Sequence, residues 1–135
     1  PSDNMKYDMT LRVLTLMKNL NLYDAFYIHL KGPDPYAHVG DIQGKIKAIE
    51  GIDKYFFGPL LKNIDLNNTI IVVTCDHTTA CSEKAHTEDP VPIAILGNSS
   101  PDNTPHFTED NCKKGELGFM NSRELMGKLM KSLKD

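Results

Sequence analysis

The chain has 135 residues, of which 40% are hydrophobic and 24% are charged. This length suits about one domain, and the composition is that of a folded globular protein rather than a disordered chain. The formal net charge is −3, and the sequence has no basic run, which argues against nonspecific binding to nucleic acid or to an anionic membrane surface. The longest apolar stretches are too short to span a bilayer. We therefore expect neither nucleic acid nor a membrane as partner.

The cysteines indicate the compartment. Cys75, Cys81 and Cys112 are odd in number and form no CxxC pair, so the sequence predicts no disulfide framework. A reducing, cytoplasmic compartment is the simplest expectation. The first residue is proline rather than methionine, from which we expect a trimmed chain or a piece of a longer one.

The first half of the chain predicts a helix, a strand and a second helix. Residues 8–20 carry leucines at three-residue steps, which predicts a helix with one apolar side. Residues 24–30 form a nearly continuous apolar run, typical of a buried strand in a parallel sheet, and the Gly-Pro-Asp-Pro sequence at 32–35 ends it. Residues 41–64 again show helical spacing, and we expect Gly58-Pro59 to kink or divide that helix.

The second half predicts two more strands and a final helix. Residues 69–74 and 91–96 are branched apolar runs that predict strands. The polar residues 98–121 predict a long surface connection, and residues 122–133 predict an amphipathic helix. Because strands alternate with helices, we expect an α/β fold in which a mostly parallel sheet is flanked by helices.

Five side chains that could bind metal lie just after predicted strands. Asp34 and His38 follow the first strand, and Asp76, His77 and His86 follow the second. Ligands of open α/β sheets bind beyond the carboxyl ends of the strands, so these two loops are expected to meet. Carboxylate oxygen and imidazole nitrogen together suit Zn, Mn and related divalent ions.

The spacing within each loop indicates how ions would be shared. Asp34 and His38 are four residues apart and can approach one ion if their loop turns helically. Adjacent Asp76 and His77 point in different directions along an extended chain, and could serve a pair of neighbouring ions. Two-metal sites of this kind are widely used for phosphoryl transfer. On the residues alone, solvated histidines and a helix-capping aspartate remain the alternative.

Other chemistries have less support. A thiol nucleophile at Cys81, with His77 or His86 as its base, has no identifiable orienting acid. The sequence lacks GxSxG, GxGxxG and Walker A patterns, which argues against a serine elbow, a dinucleotide site and a P-loop.

The remaining histidines and nearby lysines have ordinary interpretations. His29 lies within the first predicted strand and is expected in the core, whereas His106 is expected in solvent. Three lysines near the two loops are either solvated or available to hold a phosphate, namely Lys31, Lys45 and Lys84.

Two long blocks carry a specific pattern. Residues 27–41 read YIHLKGPDPYAHVGD, and residues 73–92 read VTCDHTTACSEKAHTEDPVP. These blocks resemble the "D…GH.GD" and "DH(S/T)TP…KAH..DPVP" blocks of the cofactor-independent phosphoglycerate mutases, in the archaeal-type branch of the alkaline phosphatase superfamily. The likeness covers most of the chain from about residue 24, and residues 115–118 and 124–126 resemble that branch's C-terminal tail.

The resemblance implies a bimetallic isomerase that interconverts 2- and 3-phosphoglycerate without an organic cofactor. In the family, a metal-bound serine takes the phosphoryl group and returns it to the other hydroxyl. Asp34, His38 and His86 would then hold one divalent ion, and Asp76 and His77 would help to hold the other. The ligand set tolerates Mn, Zn, Co and Mg.

The departures from the family pattern are informative as well. The family's nucleophilic serine and a further metal-binding aspartate belong to its N-terminal part, which nothing here matches. We therefore expect residues 1–135 to be the C-terminal part of an alkaline-phosphatase-like, metal-binding domain that holds no catalytic residue, is inactive alone and has the N-terminal part as partner. Ala80 stands where the family often has proline, and Pro35 follows the metal aspartate, but neither removes a ligand. Another superfamily phosphotransferase or phosphate- or phosphonate-ester hydrolase, or a non-catalytic α/β module, remains an alternative.

Overall fold

The computed structural model describes residues 3–97 and 100–132, in which helices precede, follow and flank two short sheets. The first half of the chain is helical, with α1 (Asp3–Asn19), α2 (Pro33–His38), α3 (Ile42–Ile52), a π-helical turn (Asp53–Phe57) and α4 (Gly58–Asn63). The second half contains β1 (Ile71–Thr74), β2 (Thr78–Ala80), β3 (Ala85–Thr87), β4 (Ile93–Leu96), α5 (Glu109–Cys112) and α6 (Ser122–Ser132). The expected α/β class is confirmed.

The core lies between α1 and the chain that runs from the π-helical turn into α4. Its buried members are Met9, Val13, Leu16, Phe56 and Leu60. Burying each such side chain stabilises the fold by about 1.5–3 kcal/mol. Helix α1 begins five residues before the predicted start, and its buried face is the one that carries Met9, while Leu11 and Leu14 are exposed.

The predicted division of the long helix is confirmed. Helix α4 begins at Gly58, and Pro59 occupies its first turn, where a missing N–H costs nothing. Immediately before it, the Gly58 N–H donates to the carbonyl of Asp53, five residues back, which is the π-helical hydrogen bond. The helical pattern of residues 41–64 is therefore real but is interrupted by one wide turn.

Both later strands are confirmed, whereas the expected parallel sheet is wrong. Strand β1 pairs with β4, and β2 pairs with β3; both pairs are antiparallel, and each forms a two-stranded sheet within the described residues. A parallel pair needs a crossover connection, usually a helix. Here the chain between β1 and β4 folds back on itself as the β2–β3 hairpin, so β4 returns in the opposite direction.

The first predicted strand is also wrong. Residues 24–30 form neither a helix nor a strand and belong to no ladder in the part of the chain that the structure describes. Tyr27 is 90% exposed, and His29, expected in the core, is exposed, with its carbonyl accepting a 3.4 Å hydrogen bond from Arg12. A strand requires a neighbouring strand as well as an apolar pattern, and none of the described strands pairs with this segment.

The C-terminal region largely follows the prediction. Helix α6 begins at the predicted Ser122; the predicted end at Leu133 lies outside the described residues. The expected surface connection contains the short α5, whose Thr108 side chain caps the helix by accepting from the Asn111 N–H. Among the described residues, no helix is both long and apolar enough to cross a bilayer.

Candidate metal centre

Helix α2 places Asp34 and His38 on one side of a short helix. Pro33 suits its first turn, because the proline ring fixes a helical φ and the missing N–H would be unpaired there anyway. Ala37 is fully buried where α2 packs against α3 and β2. Asp34 Oδ1 lies 3.4 Å from His38 Nε2, so the loop does turn helically, as the four-residue spacing requires.

The β2–β3 hairpin brings His86 to the same place. Strand β2 pairs with β3 in a register that sets Thr79 opposite His86, and paired residues project from the same face of a sheet. His86 Nε2 lies 3.6 Å from Asp34 Oδ1. The sequence predicts a loop over this stretch, so the hairpin is an element that sequence reasoning missed.

The turn of this hairpin contacts Nδ1 of His38, the ring nitrogen that does not face Asp34. Lys84 has φ +55°, a left-handed conformation that side chains other than glycine rarely adopt. Its carbonyl lies 3.1 Å from His38 Nδ1. Gly40, with φ +75°, lies beneath the Lys84 stem, and a Cβ there would come 2.9 Å from Lys84 Cε. The flexible lysine stem could move aside, so it is the left-handed φ of Gly40 that favours glycine at this position.

Three ligand-type atoms form a nearly equilateral triangle. His38 Nε2 lies 3.2 Å from His86 Nε2, and both are 3.4–3.6 Å from Asp34 Oδ1. Two atoms bound to a tetrahedral ion at about 2.0–2.1 Å lie about 3.3 Å apart. The spacing of these donors thus fits one face of a metal coordination sphere.

His77 and Asp76 extend this cluster to one side. The His77 ring lies against that of His86, with centroids 3.7 Å apart and planes tilted by 31°. One ligand-type atom from each of Asp34, His77 and His86 lies within 4.8 Å of the other two. His77 Nε2 is 3.6 Å from Asp76 Oδ2. All five predicted side chains therefore gather in one region, with Asp76 at its edge.

The environment of Asp34 favours its charged form. A hydrogen bond from Thr79 is the main cause that lowers the pKa of this carboxyl below 3.8; desolvation by burial, the next effect in size, opposes it, and the nearby imidazoles of His38, His86 and His77 lower the pKa further. A carboxylate must be ionised to bind a cation. At neutral pH, Asp34 is therefore ready to act as a ligand.

Two contributors to the site were not predicted as site residues. Thr79 is buried, and its hydroxyl contacts both Asp34 and His77. Lys45, for which the sequence allows either a solvated or a phosphate-binding role, donates from Nζ to the Thr79 carbonyl at 2.7 Å. The available sequence signal for this hairpin was the β-branched pair Thr78 and Thr79, followed by the polar turn at residues 81–84.

The other candidates lie apart from this chemistry. Lys31 is exposed, and His106 is exposed as expected. Cys81 is half-buried and makes no hydrogen bond to His77 or His86 within the described part of the chain. The thiol alternative thus finds no activating base.

Comparison with known proteins identifies the family of this chain. A family model described as the Metalloenzyme superfamily matches residues 2–132. The 2,3-bisphosphoglycerate-independent phosphoglycerate mutase of Aeropyrum pernix is 44% identical over 101 residues, and that of Methanosarcina mazei is 36% identical over 126 residues. The resemblance to the cofactor-independent phosphoglycerate mutases is confirmed.

A solved structure shows the same fold. The PH0037 protein from Pyrococcus horikoshii matches 93% of this chain with a TM-score of 0.88 and 29% identity. The chain spans 38% of that protein. It matches 73% and 90% of its own length to the Aeropyrum and Methanosarcina relatives, but only 24% and 32% of theirs. With a family model that spans nearly all of its residues, the chain belongs to the Metalloenzyme superfamily.

Proposed function

We propose that this chain provides the metal-holding part of a cofactor-independent phosphoglycerate mutase, an isomerase of 2- and 3-phosphoglycerate. The observation that carries the proposal is the triangle of Asp34 Oδ1, His38 Nε2 and His86 Nε2, with edges of 3.2–3.6 Å. The mutase blocks of the sequence contain these three residues, and relatives that bear the mutase name match the same chain.

The first divalent ion would be held by Asp34, His38 and His86. Their one carboxylate and two imidazoles suit Mn, Zn, Co or Mg, with selectivity set by geometry and availability. When bound, such an ion supplies Lewis-acid polarisation of phosphoryl and hydroxyl oxygens. The depressed pKa of Asp34 keeps its charge in place before the ion arrives.

The second ion would be held in part by Asp76 and His77. The contact of the His77 and His86 rings supports a position next to the first ion. We assign no catalytic residue to this chain; the remaining ligand and the serine nucleophile would come from the N-terminal part of the enzyme. No organic cofactor enters this proposal.

The large exposed apolar surface supports that N-terminal part as the partner. A folded monomer of 15.1 kDa exposes about 7,100 Å², whereas this chain exposes 10,150 Å². The difference, about 3,000 Å² on this chain alone, corresponds to about 6,000 Å² counted over both partners, the size of the largest permanent interfaces. Exposed apolar side chains on α3 and on the segment before α2 contribute to it, among them Tyr27, Ile42, Ile46 and Ile49.

The proposed compartment is the cytoplasm. Cys75, Cys81 and Cys112 are all free thiols, and thiols persist in reducing compartments. Cell fractionation with detection of the protein tests this assignment, and recovery from an oxidising compartment would contradict it.

Metal binding is the first test of the proposed function. Thermal unfolding is followed after EDTA treatment, with and without Mn²⁺ or Zn²⁺. An ion that binds only the folded chain at a hundredfold excess over its Kd stabilises it by about 2.7 kcal/mol. We expect a rise in Tm that His38→Ala abolishes and His106→Ala preserves. Equal shifts in both variants would contradict the site.

The reaction itself is tested in a chimera. This chain replaces the matching region of the Aeropyrum pernix relative, so that the N-terminal part is supplied. We expect interconversion of 2- and 3-phosphoglycerate that Asp34→Asn abolishes. Release of inorganic phosphate from phosphate esters without interconversion would instead favour the hydrolase alternative. A chimera that neither binds metal nor shows metal-dependent activity would favour the non-catalytic module.

A further inference from the structure

The Thr79 hydroxyl lies between two of the proposed metal ligands. Its Oγ1 is 2.6 Å from Asp34 Oδ1 and 3.1 Å from His77 Nδ1. Thr79 is 5% exposed, the one buried polar residue within residues 3–97 and 100–132. Water therefore competes little for this hydroxyl, and both contacts persist as a linked pair.

Counting protons fixes the direction of both hydrogen bonds. An ionised carboxylate can only accept, so the hydroxyl donates its single proton to Asp34. Toward His77 the same oxygen can then only accept, which places the imidazole proton on Nδ1. In the neutral imidazole the lone pair is then on Nε2, which faces Asp76 Oδ2 at 3.6 Å, and a nitrogen must be unprotonated to bind a metal ion.

The same proton count applies to His38, whose Nδ1 contacts a backbone carbonyl oxygen instead of a hydroxyl. Its Nδ1 faces the Lys84 carbonyl at 3.1 Å, and a carbonyl can only accept. The proton is therefore on Nδ1, and Nε2 points toward His86. In metal proteins, the hydrogen bond at one imidazole nitrogen determines which nitrogen is free for the ion. Two imidazoles of this cluster have that arrangement.

We propose that Thr79 is a positioning residue of the metal centre, whose hydroxyl orients the Asp34 carboxylate and fixes the Nδ1-protonated form of His77. This inference rests on the metal site of the proposed function. The Lys45 ammonium holds the Thr79 carbonyl at 2.7 Å, and the hairpin register holds Thr79 opposite His86. Since Asp34 and His77 are assigned to different ions, one hydroxyl serves both.

The tautomer of His77 can be measured in the metal-free chain. Long-range ¹H–¹⁵N spectra of the imidazoles, recorded in alkaline buffer where free imidazole is neutral, distinguish the two forms. We expect the Nδ1–H form in the unmodified chain and in Thr79→Ser, and the Nε2–H form, which free histidine favours, in Thr79→Val. An Nε2–H form in the unmodified chain would overturn the inference without any variant, as would an Nδ1–H form in Thr79→Val.

Thr78→Val is the matched control for these spectra. The Thr78 hydroxyl donates to the Asp89 carbonyl at 3.2 Å and contacts no proposed ligand. The same loss of one hydroxyl from β2 should leave the His77 tautomer unchanged. A change as large as that of Thr79→Val would show a general effect on the hairpin and overturn a specific role for Thr79.

Co²⁺ titration measures the consequence for binding. Removing a hydrogen-bond partner of a metal ligand typically weakens binding 10–100-fold, so we expect that loss for Thr79→Val, an altered visible spectrum, and recovery to within about threefold in Thr79→Ser. Equal affinities and spectra in both variants would overturn the positioning role. If the unmodified chain fails to bind Co²⁺, the metal site fails, while the imidazole spectra still decide the role of Thr79.

Discussion

The metal centre and residues 24–30 obtain their hydrogen-bond partners in different ways. In α2 and the β2–β3 hairpin, partners lie within one helical turn, across one tight hairpin, or on the next packed element. In residues 24–30 the backbone lies beside no strand in the described part of the chain, and Tyr27 is 90% exposed. Short-range structure thus pairs Asp34 with His38 and sets Thr79 opposite His86, and contacts between residues 45–48 positions apart join these two halves of the site.

The difference has a physical origin in chain entropy. Closing a short hairpin or one helical turn costs little, because few residues must be fixed to form each contact. A strand in the middle of a sheet depends on partners that are distant in sequence. Because both halves of the metal centre and the contacts that join them lie within this chain, we expect the centre to form in this chain alone, and residues 24–30 to gain backbone partners only against the complementary part.

The largest expected effect contrasts the core with the exposed segment. Phe56→Ala should reduce the free energy of unfolding by about 3–5 kcal/mol, because Phe56 is 3% exposed and its removal leaves a cavity. Tyr27→Ala should change it by less than about 0.5 kcal/mol. Urea unfolding of both variants measures this. A large loss in Tyr27→Ala would mean that the segment packs against this chain in solution.

The next effect concerns the ligands themselves. His38→Ala should weaken Mn²⁺ binding at least about a hundredfold, or about 2.7 kcal/mol, since one corner of the donor triangle is lost. His29→Ala removes an exposed imidazole within residues 24–30 and should leave the affinity unchanged. Isothermal titration compares the two. The ligand assignment is wrong if His29→Ala abolishes binding and His38→Ala does not.

A third prediction sharpens the contrast between residues 24–30 and the β2–β3 hairpin. Adding the N-terminal part of a relative should slow hydrogen exchange at the amides of residues 24–30 by at least about tenfold, equivalent to about 1.4 kcal/mol of protection. The amides paired between β2 and β3 already have partners and should change less. Exchange measured by mass spectrometry tests this, and unchanged rates at residues 24–30 would remove the proposed interface.

The smallest effect is the titration of Asp34. Its pKa is lowered by the Thr79 hydrogen bond and the nearby imidazoles, so the folded chain binds fewer protons than the unfolded chain. The associated stability is fully present above pH 3.8 and is lost as the pH falls through the lower, folded-state value. Carboxyl ¹³C shifts should titrate below 3.8 and move upward in Thr79→Val. A midpoint that this substitution leaves in place would contradict the assigned cause.

The ligands could be predicted from the sequence because the spacing within each of the two loops is local. Asp34 and His38 are one helical turn apart, and His77 and His86 flank a short polar turn. Thr79 could not be predicted, because its contacts depend on the hairpin register, and each strand of this hairpin has three residues. Three residues are too few to display an alternating pattern.

The direction of the strands, in contrast, could not be predicted from the sequence. The apolar pattern of β1 and β4 indicates that they are strands, but carries no information about their direction, which depends on the chain that connects them. The hairpin between them makes the pair antiparallel. For residues 24–30, the apolar pattern indicates a surface that requires covering, and the structure shows that surface uncovered.

The π-helical turn at Asp53–Phe57 changes the direction in which apolar side chains of the helical run point. Ile49 and Phe56 are seven residues apart, so an uninterrupted α-helix would set them on one side. Instead Ile49 is 51% exposed and Phe56 is 3% exposed. One extra residue in the wide turn rotates the helix beyond it by about 100°. A single helical run therefore carries both the buried Phe56, which packs in the core with Ile52, and the exposed Ile42, Ile46 and Ile49, and deleting one residue of the turn would change the rotation between α3 and α4.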